Sequence, residues 1–475
     1  MTYPVYLTVI AKALQEKIMP DVNSEYSREV LRVCIDALTG VAFALDEPSK
    51  AGRASLASIE ALLSAHTEAT ASADRKLSGP PENMASRGEL SAALTRGEAW
   101  VAHADWLHDE AKAQVARQLV QWERDLLGEA VRGIAPSSEP RAKAKANAVD
   151  SNVTKERVES YLGNRFPQCR PVRLDKFSFA SIGKGKTTAL FSQQSITELP
   201  QDLVIRRDAT PDTPRSVTSE FRWMKVLHEA GLSVPKPFLL ETDSAIMGAP
   251  FMIMERAHGE VAGGYEAYFS PPRSEKLALS LAEQMGRLHS IPIERAPSAA
   301  EVGNGAFTLP DLRSTVEAWA KHQHSASVTM AAALRWIAAR ADRIVDRKAI
   351  VHGELQFHNV MSRNEEITAV LDWEMVHVGH PAEDLGYCKP AVETMTTWDK
   401  FMAVYLRAGG VPVTPEEIDY FAVDYMMRLL PTAQHVRDEF EAGRQDDIMF
   451  AIVGPGFLPK MLHRLSTVLA SALSK

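Results

Sequence analysis

Two short polar loops, each after an apolar stretch, carry the residues in this sequence that are best suited to chemistry. The first loop follows Ala349–Val351 and contains Glu354 and, five residues later, Asn359. The second begins at Asp372, directly after the apolar stretch 367–371. A carboxylate that accepts a hydroxyl proton, with an amide and a second carboxylate as oxygen ligands for Mg²⁺, suits phosphoryl transfer. The sequence therefore predicts a site with Glu354 as the base and with Asn359 and Asp372 as magnesium ligands.

Each loop on its own also has a simpler interpretation. Asn and Asp are common in turns and caps, because their short side chains bond to nearby backbone groups. What distinguishes this chain is the combination: His-Gly-acid-x-x-x-x-Asn, then an apolar run, then Asp. The two loops are therefore interpreted as parts of one site.

Length and composition limit the kind of protein that can hold this site. The chain has 475 residues, enough for about three domains or lobes. Its formal net charge of −8 argues against nucleic acid as a partner. No apolar run approaches the ~20 residues of a membrane span, and the N-terminus lacks the pattern of a signal peptide. The three cysteines contain no CxxC pair, so neither a disulfide framework nor zinc is predicted. We expect a cytoplasmic protein.

The first part of the chain is patterned differently from the rest. Apolar residues recur at helical spacing through residues 1–133, with no strand pattern and no cluster of catalytic residue types. Residues 134–152 are rich in Ala, Pro, Ser and charged residues, which is typical of a linker. We therefore expect a helical accessory bundle that serves packing, assembly or substrate capture. A homo-oligomer formed through it is left open.

A glycine-containing hairpin is predicted after the linker. Gly183, Lys184 and Gly185 lie between two strand-like stretches, and such glycines let the backbone approach a phosphate. The stretch nearly fits the Walker A pattern, but Ala180 stands where the first glycine should be. A strand-like run follows it, whereas a Walker loop opens a helix. A hairpin folded over a nucleotide therefore fits better.

The next strand, 203–207, places Val204 and Arg206 on one face by its period of two. A helix from about residue 216 to 230 follows and carries Glu220 in its first turns. An exposed strand end beside a solvated helix would show similar charges, so this pattern alone is not specific. Its interpretation as part of a binding site depends on the two polar loops.

In this order, the motifs resemble those of the aminoglycoside-phosphotransferase-like small-molecule kinases, which are protein-kinase-like. The resemblance covers about residues 153–387 and plausibly reaches the C-terminus. It implies an α+β, two-lobed fold that follows the helical bundle. The nucleotide lobe would span residues 153–259 and the helical, catalytic lobe residues 260–475. The implied cofactors are ATP and Mg²⁺.

The resemblance also assigns roles within the nucleotide lobe and the loops. Arg206 would pair with Glu220 and face the phosphates, while Val204 would cover the adenine. Met254 would back the adenine, and the main chain of Glu255 and Ala257 would hydrogen-bond to the base. His352 and Asp384 would support the catalytic loop.

Two features decide the expected substrate and activity. The phrases Val-Leu-Asp-Trp-Glu and Ala-Glu-Asp-Leu-Gly resemble the branch associated with acyl-CoA dehydrogenases, whose implied substrate is a hydroxyacyl-CoA or hydroxy acid. Glu354 stands where the family usually has Asp, yet it keeps the charge and the ability to accept a proton. An antibiotic kinase of the aminoglycoside type remains an alternative. A catalytically weak pseudokinase or assembly protein is the other.

Overall fold

The protein is described here by a computed structural model, which covers residues 97–98, 101–102, 110–132, 152–182, 186–213, 215–263, 274–302, 327–441 and 458–474. The predicted glycine loop (Gly183, Lys184 and Gly185) and most of the predicted helical bundle lie outside these residues.

Helices and strands within the described residues fall into two lobes. The helices are, in chain order, α1 Glu110–Arg132, α2 Lys155–Arg165, α3 Val217–Glu229, α4 Ser244–Met247, α5 Glu275–His289, α6 Ala299–Val302, α7 Val328–Ala338, α8 Ala382–Val392, α9 Trp398–Arg407, α10 Pro415–Glu441 and α11 Leu458–Leu473. The strands are β1 Leu174–Ile182, β2 Lys186–Gln193, β3 Asp202–Asp208, β4 Pro237–Glu241, β5 Phe251–Glu255, β6 Glu260–Val261, β7 Ala349–Val351, β8 Val360–Arg363, β9 Glu366–Val370 and β10 His377–Gly379.

The first lobe is built on a five-stranded antiparallel sheet with the order β1-β2-β3-β5-β4. The predicted alternation along β3 is confirmed. Leu203 and Ile205 are buried in one hydrophobic cluster, and Val204 is buried in another on the opposite face. The predicted glycine loop is followed by a strand, β2, whereas a Walker loop would be followed by a helix.

Helix α3 begins at Val217, close to the predicted start at about residue 216. The Ser216 side chain accepts a hydrogen bond from the amide of Thr218, and Glu220 lies in the first turn. A negative side chain there is favourable because unpaired amides give a helix N-terminus a partial positive charge. The helix packs its apolar face into the cluster that contains Val204. Glu220 is thereby held on the face of the sheet that carries Val204 and Arg206.

The second lobe holds the two polar loops between helices and two small sheets. β7 pairs with β10, and β8 lies between β6 and β9. The predicted strand 349–351 is observed as β7, and the apolar stretch before Asp372 is β9. The expected α+β arrangement of a sheet-based lobe and a helical lobe is confirmed.

Helix α1 lies within the stretch predicted as an accessory bundle, yet it packs on the second lobe. Its apolar side chains, among them Val115 and Leu119, share one hydrophobic cluster with residues of α7, α10 and α11. The buried carboxylate of Glu123 accepts a hydrogen bond from the amide of Thr329 in the first turn of α7, at 2.6 Å. This end of the predicted bundle is thus part of a core that includes the second lobe. The predicted bounds of 1–133 and 134–152 remain a prediction.

No helix among the described residues is both long enough and apolar enough to cross a membrane.

Candidate active site

The first polar loop turns sharply where β7 ends. Gly353 has a φ of +83°, and a Cβ there would lie 2.8 Å from the carbonyl oxygen of Met375. Only glycine meets both requirements without strain. The carboxylate of Asp384, at the start of α8, accepts hydrogen bonds from the amides of His352 (2.8 Å) and Gly353 (2.9 Å). Asp384 therefore lies where a bracing role was predicted for it.

A second contact holds Asp384 from behind. His289, in the last turn of α5, has its Nε2 3.1 Å from the carboxylate, and its Nδ1 is 2.9 Å from the hydroxyl of Tyr405. Burial would raise the pKa of Asp384, but hydrogen bonds and the nearby histidines keep it below its usual value. The carboxylate is thus ionised and can accept both loop amides.

His352 connects the two loops. The side chain is buried, and its Nε2 donates to the carbonyl of Leu371 at 2.9 Å. Its Nδ1 accepts from the amide of Glu354 at 3.2 Å. This ring orients the backbone on both sides of the site, consistent with the structural role predicted for it.

Glu354 and Asn359 lie at the two ends of the first loop, and a hydrogen bond joins them. The amide nitrogen of Asn359 donates to the carbonyl oxygen of Glu354 at 3.0 Å. The Glu354 side chain is 30% exposed, so a substrate hydroxyl can reach it. His358 lies beside it, with Nε2 3.7 Å from a carboxylate oxygen. The loop therefore presents one accessible carboxylate beside a fixed amide.

Asp372 lies next to Asn359 because of the hairpin between β8 and β9. Val360 pairs with Val370, and the amide of Leu371 donates to the carbonyl of Asn359 at 2.8 Å. Asp372 has a φ of 62°, a left-handed conformation in which Asp is enriched. Burial would raise its pKa, but Arg206 and Lys186 lower it below the usual value. The ionised carboxylate of Asp372 and the side-chain amide of Asn359 therefore lie side by side where the β8–β9 hairpin begins and ends.

These two residues fit a magnesium ion by their chemistry. Mg²⁺ prefers oxygen ligands and is commonly bound by one or two protein oxygens together with phosphates. The nitrogen of the Asn359 side chain is used by Glu354, which leaves the amide oxygen for a cation. Among the described residues, no group of three or more His, Cys, Asp or Glu forms an alternative metal site.

The first lobe contributes cations to the same place. Arg206 of β3 contacts Glu220 through Nε (3.2 Å) and Asp372 through Nη2 (2.9 Å). Burial would lower the pKa of Arg206, but the carboxylates around it raise it. Arg207 faces the other way, is buried, and donates to the carbonyl of Met247 at 2.7 Å. The predicted strand register thus puts Arg206, and not Arg207, in the cleft.

The predicted adenine residues lie on neighbouring strands of the sheet. Val204 of β3 is directly opposite Met254 of β5, and both are buried. The Glu255 amide donates to the carbonyl of Lys236 at 2.9 Å, so the sheet already uses that donor. The hydrogen bonds of the Glu255 and Ala257 main chain to a base therefore remain a prediction.

Three charged residues of this cleft were not singled out from the sequence. Lys186 of β2 contacts Glu374 (2.6 Å) and Glu220 (3.4 Å), while Arg215 lies 3.6 Å from Glu374. The glycine-lysine run and the Asp-Trp-Glu phrase contain two of them. Their meeting could not be seen from spacing, because Lys186 and Glu374 are 188 residues apart.

Comparison with known proteins supports this architecture. Residues 191–421 match the phosphotransferase enzyme family. In sequence, the chain is 25% identical over 255 residues to acyl-CoA dehydrogenase family member 11 of Gallus gallus, covering 48% of this chain and 32% of that protein. It is 31% identical over 183 residues to acyl-CoA dehydrogenase family member 10 of Mus musculus, covering 36% of this chain and 16% of that protein. The chain thus spans about a third or less of these relatives.

Among solved structures, a crystal structure described as a candidate aminoglycoside phosphotransferase from Ralstonia eutropha is similar in fold. Its TM-score is 0.50 at 18% identity, and the match covers 67% of this chain and 98% of that one. At this identity the likeness concerns the fold alone. Residues 191–421 are thus similar to the phosphotransferase enzyme family, and the fold is like that of the solved candidate aminoglycoside phosphotransferase.

Proposed function

We propose that this protein transfers the terminal phosphate of ATP to an alcohol group of a small molecule, with a hydroxyacyl-CoA or hydroxy acid as the acceptor class. The observation that carries the proposal is the contact between Arg206 and Asp372, at 2.9 Å. It brings a phosphate-binding cation of one lobe against a metal-binding carboxylate of the other, beside the accessible Glu354.

The nucleotide would bind between the lobes. Val204 and Met254 provide an apolar surface for the adenine, and the backbone after β5 provides hydrogen bonds to its edge. Arg206, held by Glu220, faces the phosphates. Mg²⁺, bound by Asn359 and Asp372, would supply positive charge that offsets the negative charge of the phosphates.

The chain's own residues then perform the transfer. Glu354 accepts the proton of the substrate hydroxyl while the hydroxyl oxygen forms a bond to the γ-phosphorus. The bond from that phosphorus to the bridging oxygen breaks, and ADP leaves with the bonding electrons. The hydrogen bond from Asn359 to the Glu354 carbonyl, together with the Asp384 contacts, fixes the loop that positions the carboxylate.

The acceptor class rests on the relatives. Proteins named acyl-CoA dehydrogenase family members are similar to part of this chain, which suggests an acyl-CoA-linked substrate. A CoA thioester would thus be the small-molecule partner. The candidate aminoglycoside phosphotransferase among the fold neighbours is the reason to keep an antibiotic acceptor as the second candidate.

An ATP-consumption screen with Mg²⁺ tests both the reaction and the acceptor. Hydroxyacyl-CoAs, free hydroxy acids and aminoglycosides are compared at equal concentration, with product formation followed by mass spectrometry. Turnover of a hydroxyacyl-CoA or hydroxy acid supports the proposal, whereas turnover of aminoglycosides alone would favour the second candidate. Binding of Mg-ATP with no turnover of any alcohol would contradict the enzymatic role and favour an assembly protein.

A further inference from the structure

Lys186, the first residue of β2, is buried among carboxylates in the cleft between the lobes. Its side chain is only 7% exposed, and its Nζ lies 2.6 Å from Glu374 and 3.4 Å from Glu220. A buried ammonium is costly unless its donors are paired. Lysine has three donors, so these two partners leave one for a further acceptor.

The sheet register brings Lys186 close to Arg206. Lys186 is opposite Asp208, and Thr188 is opposite Arg206, in the antiparallel pairing of β2 with β3. Residues two apart on a strand share a face, so Lys186 and Arg206 project from neighbouring strands to the same side. Both reach the same oxygen of Glu220, at 3.4 and 3.2 Å.

The two cations then continue to different carboxylates of the second loop. Arg206 contacts Asp372 at 2.9 Å, and Lys186 contacts Glu374 at 2.6 Å. With Arg215 beside Glu374, three cationic side chains contact three carboxylates, and the buried Asp208 carboxylate lies near Lys186 and Arg206. A divalent cation on Asp372 would add two positive charges, which exceed the single negative charge of Asp208. The surplus is then positive and complements a phosphate chain.

We propose that Lys186 is a second phosphate-binding residue, which acts beside Arg206, and that Glu374 positions it. This proposal rests on the proposed nucleotide-dependent function and adds a residue to its binding site. A phosphate chain is the ligand class because a compact ammonium with a spare donor, next to a fixed guanidinium, matches several anionic oxygens at once.

The test compares Lys186→Gln with the parent in the full-length chain. Dissociation constants for adenosine, ADP and ATP are measured with Mg²⁺ by calorimetry. The expected result is unchanged adenosine affinity and a loss that grows with the number of phosphates, reaching about tenfold or more for ATP. The matched control is Lys176→Gln, an exposed lysine on the neighbouring strand β1, which should leave all three affinities unchanged.

Two further variants separate binding from folding. Lys186→Arg keeps the charge and should retain most of the ATP affinity. Lys186→Gln combined with Glu374→Gln removes both members of the ion pair, so it leaves no unpaired carboxylate from that pair. The double variant should still lose ATP affinity and not adenosine affinity.

The proposal is overturned if Lys186→Gln binds ATP as tightly as the parent. It is also overturned if both glutamine variants lose adenosine and ATP affinity equally, because that result indicates a structural role only. If the proposed function itself is wrong, the parent protein binds no nucleotide. That result would also overturn the role proposed for Lys186, and it differs from a loss of affinity in the variant alone.

Discussion

Glu354 is one methylene longer than the aspartate usual in the similar kinases, and it is the only carboxylate between His352 and Asn359. If it accepts the hydroxyl proton, removal of its charge should slow the transfer without affecting the nucleotide. Glu354→Gln should therefore lower kcat by about 10²-fold or more while the Kd for ATP stays similar. Glu354→Asp, which keeps the acid, should retain activity. Steady-state kinetics and calorimetry measure both quantities, and a glutamine variant as fast as the parent would contradict the role.

Arg206 and Arg207 are adjacent in sequence, but substitution of each should have a different effect. Arg206 faces the cleft, whereas Arg207 bonds to the carbonyls of Met247 and Asp208. Arg206→Ala should weaken ATP binding by about tenfold or more through the loss of a charge-assisted contact. Arg207→Ala should instead lower the melting temperature and affect ATP affinity less. The reverse order in a paired calorimetric and thermal measurement would contradict the assigned facing of β3.

Residue spacing was enough to propose most members of the candidate site, because each motif is local in sequence. Glu354 and Asn359 lie on one loop, and the alternation on β3 identified Arg206. Lys186 and Glu374 required knowledge of which strands and loops meet across the cleft, and no periodicity carries that information. The sequence thus predicts the members of each motif, while pairs between motifs need the fold.

The two-stranded sheet of β7 and β10 carries a histidine–carboxylate pair next to the first polar loop. His377, opposite Val351, has its Nε2 3.1 Å from the buried Glu383. Burial would lower the pKa of His377, but the Glu383 carboxylate and the carbonyl of Met375 raise it above its usual value. Asp384 adds to this effect. The folded protein therefore holds this proton more tightly than the unfolded chain does.

This pair should make stability depend on pH. A raised pKa in the folded state gives a stabilisation that is complete below the unfolded value of about 6.5 and is lost as pH rises through the folded value. The free energy of unfolding, measured by denaturant titration from about pH 6 to about pH 9, should fall with pH in the parent. His377→Asn should flatten this dependence. An equally steep fall in the variant would assign the effect to other groups.

The positions of helices in the sequence were predicted more reliably than the surfaces against which they pack. The helix predicted from about residue 216 to 230 is observed as α3, with Ser216 as its cap. Helical periodicity identified an apolar face in the region of α1, but such a face fits any complementary surface. Its burial against α7 and α11 could not be inferred from the pattern.

The packing of α1 changes what a shortened chain is expected to do. The predicted linker suggests that a chain starting near Ala148 would fold on its own. Loss of α1 would expose the apolar residues of α7 and α11 that it covers and would leave the Thr329 amide without Glu123. We expect the shortened chain to have a lower melting temperature than the full chain by thermal unfolding. Equal melting temperatures would show that the two parts are independent.

Placement of α1 against α11 also bears on how the chain folds during synthesis. Val115 leaves the ribosome early and Leu465 more than 300 residues later, yet both belong to one buried cluster. Contacts so distant in sequence form late and slowly, because the intervening chain must be ordered first. The sheet-based lobe, whose strands are near neighbours in sequence, can close while synthesis continues. Until α11 is made, the part of α1 that packs on α11 lacks this partner, and in that interval it is a surface for chaperones or for aggregation.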